Sequence, residues 1–212
     1  MSAHDEEKAE ARADLCRFLS GCYYEPGPEF TEENLFGSMV AAATLVDPDL
    51  AAHARRLGKA FAMDDTQTLL VDYTRLFLGP VQPLAKPYGS VWLTGETTLM
   101  QEATMAVLEL YKEGGFDIDE AFRELPDHVA VELEFLYLLL FKRNVARRSN
   151  ATDELAALTT LQQRFLAQHL GAWIGPFAAA VQAGAETAFY RELGAFTERF
   201  VRNEETRETT VH

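Results

Sequence analysis

The chain has 212 residues, 48% hydrophobic and 25% charged, enough for one domain with a substantial core and without the bias that marks disordered or fibrous chains. Its net charge of −14 argues against a nucleic-acid partner, because phosphate backbones are held by basic surfaces. Cys16 and Cys22 are the only cysteines and lack CxxC spacing, so no disulfide framework is expected and a reducing compartment is.

In chain order, Met1-Ser-Ala-His-Asp-Glu-Glu is acidic where a secretory signal would be basic, and no apolar core of a signal follows. Leu15, Phe18, Leu19 and Cys22 form one apolar stripe of a first helix, which Pro26 and Pro28 stop. Thr31 and Asn34 stand near the start of a second helix running to about Val46, and Pro48 opens a third through Phe61. Asp64 or Asp65 caps a fourth, which carries Leu69, Leu70, Tyr73, Leu76 and Phe77.

Gly79, Pro80, Pro83, Pro87 and Gly89 then break the helical pattern, and a long loop at about 78–93 is expected. Structureless loops of that length are uncommon in compact domains and often functional. Helix resumes near Thr94 or Gly95, runs to Tyr111 and closes at Gly114-Gly115. A connector from Phe116 to Leu125 leads to a helix from about Pro126 to Arg148, with Val129, Leu133, Leu136 and Leu140 as its inner stripe. Lys142, Arg143, Arg147 and Arg148 suit its negative end. Further helices are expected over about Thr152–Leu170, Trp173–Ala183 and Glu186–Asn203. The longest apolar run, Phe135 to Phe141, is too short to cross a bilayer. No period-2 run marks a strand. The expected fold is all-α: a single domain over 1–212, a bundle of about eight or nine helices, with 1–8 and 204–212 frayed.

Two segments carry more polar character than a core needs. In the first, Glu124-Leu-Pro-Asp-His-Val-Ala-Val-Glu132, a proline and an acid fall in the first helical turn, and His128 and Glu132 are spaced i, i+4 so that they can meet on one face. Spacing alone fits either a capped helix with a local hydrogen-bonded pair or a polar anchor for a ligand's cations. As metal ligands they are too few, and no HExxH, P-loop, GxGxxG or GxSxG frame is present, so neither a metal nor a catalytic residue is assigned. In the second, Pro87-Tyr-Gly-Ser-Val-Trp92 offers two amphipathic rings, which either pin the loop or bind a peptide. Gln168-His-Leu-Gly-Ala-Trp173-Ile-Gly-Pro176-Phe177 is expected to pack a helix junction.

Three blocks in this order resemble the TorD/DmsD/NarJ-type redox-enzyme maturation chaperones: Tyr73-x-x-Leu76-Phe77-x-Gly79-Pro80 with Pro87-Tyr88-x-Ser90-Val91-Trp92, then Glu124-x-Pro126-Asp127-His128-x-x-x-Glu132-Leu133, then Phe165-x-x-x-His169-Leu170-x-x-Trp173. The resemblance spans about residues 12 to 202. It implies a TorD-like fold and a non-catalytic cytoplasmic protein. Such proteins bind the twin-arginine signal peptide, and often the body, of the apo-form of a molybdopterin-containing oxidoreductase until its cofactor is inserted. It further implies a peptide-binding surface of Leu76, Phe77, Gly79, Pro80, Tyr88, Ser90, Trp92, Glu124, Pro126, Asp127, His128 and Glu132. No cofactor is assigned; some relatives bind guanine nucleotide or handle the molybdenum cofactor, and no residue here decides either. A monomer and a domain-swapped dimer are both compatible with a helical chain carrying a long loop. The alternatives are a structural or assembly subunit kept in a respiratory reductase, or a metal-dependent helical hydrolase built on Asp127, His128 and Glu132.

Overall fold

The structure, a computed structural model, describes residues 2–27, 30, 34–79, 82–94, 102–117 and 124–209. Ten α-helices lie among them: α1 Ala3–Gly21, α2 Leu35–Val46, α3 Pro48–Phe61, α4 Thr66–Tyr73, α5 Gly89–Thr94, α6 Glu102–Gly114, α7 Val129–Arg148, α8 Thr152–Gln168, α9 Leu170–Gly184 and α10 Ala188–Thr209. The expected all-α bundle is therefore observed. None of the described residues forms a strand; a single antiparallel bridge joins Tyr88 to His128.

α7 is the hub. Its expected stripe of Val129, Leu133, Leu136 and Leu140 is buried, and so are Ala130, Val131, Phe135 and Leu139, because helices cover it on several sides. α1 lies antiparallel along it. The Ser20 hydroxyl donates to the Ala130 carbonyl (3.0 Å), the Cys16 thiol to the Leu133 carbonyl (3.1 Å), and the Asn144 amide to the Ala9 carbonyl (2.9 Å). On another side Phe135 meets Phe165 of α8 edge-on at 5.0 Å and Tyr111 of α6 at 4.6 Å. α9 and α10 pair with each other, and α2 and α3 form a hairpin that packs on α1 and α10.

The helix ends follow local chemistry. Ser2 and Asp5 close a capping box on α1. Asp47 ends α2 and caps α3, its carboxylate accepting from the Asp49 N–H at 2.9 Å with Pro48 next in line. Of the two expected caps of α4, Asp65 is the one used, at 2.7 Å from the Thr68 N–H. Asn34 precedes α2 with φ 49° and no side-chain cap; Thr31 lies outside the described residues.

Four expectations change. After Tyr73 the helix widens into a π-turn, Thr74–Leu78, and ends at Gly79 with φ 62°. Only glycine sits there without strain, since a Cβ would also meet the Pro83 nitrogen at 2.5 Å. The expected long loop is shorter, because α5 begins at Gly89 inside it; the expected start near Gly95 lies outside the described residues. α7 begins at Val129 rather than Pro126: Pro126 and Asp127 belong to a turn in which the His128 N–H donates to the Leu125 carbonyl at 3.0 Å, and His128 is the cap. Finally, helix extends into both ends: α1 starts at Ala3, and α10 runs to Thr209, with Glu204 fully buried and accepting from the Arg12 guanidinium (Nε–Oε1 2.9 Å).

Candidate functional site

The two polar segments come together although about thirty-five residues separate them in the chain. The Gly89 N–H donates to the Asp127 carbonyl and the Val129 N–H to the Pro87 carbonyl, both at 2.8 Å. These bonds make the Tyr88–His128 bridge. The Asp127 side chain adds a third tie, accepting from the Ser90 N–H at 2.9 Å at the start of α5. The Trp92 indole donates back to the Lys86 carbonyl (2.8 Å) and its ring meets Phe177 edge-on at 6.2 Å, which closes the loop on the body. Tyr111 of α6 donates from its hydroxyl to the Pro126 carbonyl at 2.7 Å. The junction is a clasp.

Beneath the clasp sits Glu132, with no exposed surface. Its Oε2 accepts from the Trp173 indole at 3.0 Å, and its Oε1 has no hydrogen-bond partner. Gly89 passes directly above: a Cβ there would meet the Trp173 Nε1 at 2.8 Å and the Glu132 Oε1 at 3.0 Å. Burial pushes the Glu132 carboxyl well above its ordinary range; the Trp173 bond opposes this and the Asp127 charge adds to it. Glu132 therefore carries a proton where an exposed glutamate would not. Trp173, read from the sequence as junction packing and as part of the third resemblance block but not as a site residue, supports this site; its position beside a turn gives no spacing signal for its indole partner.

His128 does not pair with Glu132 as their spacing allowed. Its Nδ1 accepts from the Ala130 N–H at 3.2 Å, capping α7, and burial lowers its pKa to about 4, which keeps the ring neutral. That ring lies between two tyrosines: Tyr24 stacks on it at 6.2 Å and 16°, and Tyr88 meets it edge-on at 5.4 Å. Asp127, His128 and Glu132 thus engage three different partners. Among the described residues no group of three or more His, Cys, Asp or Glu could hold a metal ion.

The twelve residues assigned by resemblance sort by depth. Ser90, Asp127, His128 and Glu132 are buried in the clasp. Leu76 and Phe77 are core residues; Phe77 packs against Tyr23, Phe177 and Tyr190, and the Leu76 carbonyl holds the Ala85 N–H at 2.8 Å, tying the loop down. Tyr88, Trp92, Glu124, Pro126 and Gly79 are half-buried and reach the surface. Pro80 lies outside the described residues. Tyr24 and Glu134 stand beside this group without any motif to mark them. Glu134 accepts from the Tyr24 hydroxyl at 2.8 Å, and Glu124 from the Tyr88 hydroxyl at 3.3 Å. Burial, with the Glu124 charge next, pushes both the Tyr88 and Tyr73 phenols up to about 12.

The all-helical bundle is the fold class of a redox-enzyme maturation protein. A family model described as nitrate reductase delta subunit matches residues 44–179, and the chain belongs to that family, the TorD/NarJ family. It is similar to a chaperone protein TorD of Shewanella loihica, 26% identical over 91% of this chain and 90% of the relative. A chaperone protein TorD of Vibrio vulnificus is 27% identical over 85% and 86%. The crystal structure of a putative redox enzyme maturation protein from Archaeoglobus fulgidus shares the fold with a TM-score of 0.52, at 22% identity over 97% of this chain and 96% of that one. Among the described residues no helix is long and apolar enough to cross a membrane.

Proposed function

We propose that this protein is a cytoplasmic chaperone of molybdoenzyme maturation: it binds the twin-arginine leader of an apo molybdopterin oxidoreductase and releases it for export after cofactor insertion. Membership of the TorD/NarJ family supports the chaperone role. The observation that carries leader binding is the clasp, which turns two distant segments into one rigid platform with Tyr88, Trp92, Pro126 and Glu124 at its surface. A leader is cationic at one end and apolar beyond it, and a platform with aromatic rings and an acidic rim complements both parts. Pre-organisation lowers the entropy cost of binding such a flexible peptide. In this reading the buried Ser90, Asp127, His128, Glu132, Leu76 and Phe77 position the platform, while the half-buried residues touch the peptide.

The test is calorimetric titration with the synthetic leader of a molybdoenzyme encoded beside this protein. Saturable one-to-one binding is expected, weakened by Glu124→Gln, which keeps an acceptor for Tyr88, under an unchanged thermal melt. Absence of binding sinks the reading. The family's description as a reductase subunit supports a second reading, retention in the mature enzyme. Co-purification separates the two, since a chaperone is absent from the mature complex.

A further inference from the structure

We propose that the leader is read in two adjoining places: an arginine guanidinium enters a cage of Tyr24, Tyr88, Glu124 and Glu134, and the apolar stretch beside it lies in the groove between α1 and α2. The inference rests on the leader-binding reading above and names what reads which part.

The cage is more than a run of acids. Tyr24 and Tyr88 flank His128, and each donates its hydroxyl to a glutamate, Tyr24 to Glu134 at 2.8 Å and Tyr88 to Glu124 at 3.3 Å. The Glu124 charge is felt at Tyr24 as well as at Tyr88, so Glu124 stands near both rings, while Glu134 bonds the Tyr24 hydroxyl. Neither glutamate has a cationic side chain within 4.0 Å among the described residues, whereas Arg12, Arg17, Arg56, Arg75, Arg148, Arg164, Arg199 and Arg202 each hold an acid. Just behind them Asp127, 1% exposed, keeps Oδ1 without a partner, and its charge reaches the Tyr88 phenol. Uncompensated carboxylates beside aromatic faces attract a cation. A planar guanidinium stacks on a ring and bonds a carboxylate bidentately at once, which an ammonium does not.

The groove supplies the second half. It has a volume of about 370 Å³ and runs along Phe18, Gly21, Tyr24, Phe30 and Leu35. Tyr24 is therefore a wall of the groove and of the cage, so the two sites are continuous. Arg17, one turn before Gly21, lies over the Phe18 ring at 5.1 Å and within 3.9 Å of Asp14. Glu124 and Glu134 therefore draw the cationic end of a bound peptide, and its apolar part lies toward Phe18. That order matches a segment in which basic residues adjoin an apolar run, and it fixes one direction of binding.

Two variants test the two halves by calorimetry with three synthetic peptides: the leader, the leader with both arginines replaced by lysine, and the leader with its apolar stretch replaced by serine. Glu134→Gln keeps an acceptor for Tyr24 and removes the charge. It is expected to weaken the arginine leader about tenfold and the lysine leader less than about twofold. Gly21→Leu places a side chain in the groove from its wall, where a Cβ at Gly21 meets nothing within 4 Å. It is expected to weaken the leader about tenfold and to leave the serine-substituted leader unchanged, with melting curves as for the parent. Equal losses for arginine and lysine leaders on Glu134→Gln overturn the cage. Parent-like affinity of Gly21→Leu overturns the groove. Failure of the parent protein to bind the leader overturns the leader-binding reading itself, and this site with it.

Discussion

Replacing Glu132 by glutamine tests the buried carboxyl beneath the clasp. In the folded protein Glu132 has no exposed surface, one hydrogen bond from Trp173 and the Asp127 carboxylate nearby, so its acid form is favoured. In the unfolded chain it ionises at its ordinary value near 4.5. Between that value and the higher folded one, the native state holds one proton more than the unfolded state. Stability therefore falls as pH rises, by about 1.4 kcal/mol per pH unit, until folded Glu132 itself ionises. Glutamine keeps the shape and the acceptor for Trp173 and never titrates. Its amide group stands where Oε1 has no partner, so both amide hydrogens are left unsatisfied, which costs a constant penalty of about 1–3 kcal/mol. The expected signature is therefore a slope rather than an offset: the stability of Glu132→Gln relative to the parent improves by about 1.4 kcal/mol per unit over the lower part of the range from pH 5 to 8. Urea unfolding at pH 5, 6, 7 and 8, followed by circular dichroism with m-values compared, measures it. Other titrating groups contribute to both proteins and cancel in the difference. Parallel pH profiles for parent and variant would refute the assignment of a buried, protonated Glu132.

Two further outcomes follow from buried groups. His128 is held neutral with its pKa lowered from 6.5 to about 4, so its contribution is complete above pH 6.5 and lost as pH falls toward 4, about 3 kcal/mol in all; His128→Asn, which can still cap α7, should flatten that acid limb in urea titrations. Arg12→Ala strands Glu204 without its partner in a fully buried position and should cost about 3–5 kcal/mol in urea unfolding, with most of the loss recovered when Glu204→Gln is added.

The helices were legible because their signals are local. Pro48 after Asp47, the capping acid at Asp65 and the apolar stripe of α7 each act within a few residues of the boundary they set. What escaped the sequence is non-local or depends on one backbone angle. The widening into a π-turn before Gly79 leaves the 3.6-residue apolar pattern through Leu76 and Phe77 intact, so periodicity passes over it. α5 was hidden because Pro87 and Gly89 read as breakers, whereas here Gly89 opens the helix and is small so that the chain can pass over Trp173 and Glu132. The far end of α10 is rich in polar residues and reads as a frayed tail, but Arg12 lies 192 residues away and buries Glu204. Tyr24 and Glu134 were missed for the same reason: their meeting depends on the packing of α1 against α7.

The division between clasp and surface also decides how binding data on this protein are to be interpreted. Asp127, His128 and Glu132 are the residues a motif search finds first, yet each is spent on an internal partner: the Ser90 N–H, the Ala130 N–H and the Trp173 indole. Alanine at any of them removes a buried hydrogen bond and leaves its partner unsatisfied, which costs about 1–3 kcal/mol or more of stability. It also loosens the platform that Tyr88 and Trp92 stand on. A loss of peptide affinity in such a variant is therefore expected whether or not the residue touches the peptide. Contact is established only by variants that change affinity while the melt stays put, and only residues with accessible surface, such as Tyr88, Glu124 and Glu134, can give that result. On the proposed reading, the buried motif residues hold the platform in one shape, and the half-buried Tyr88 and Glu124 of the motif, with Glu134 outside it, touch the leader.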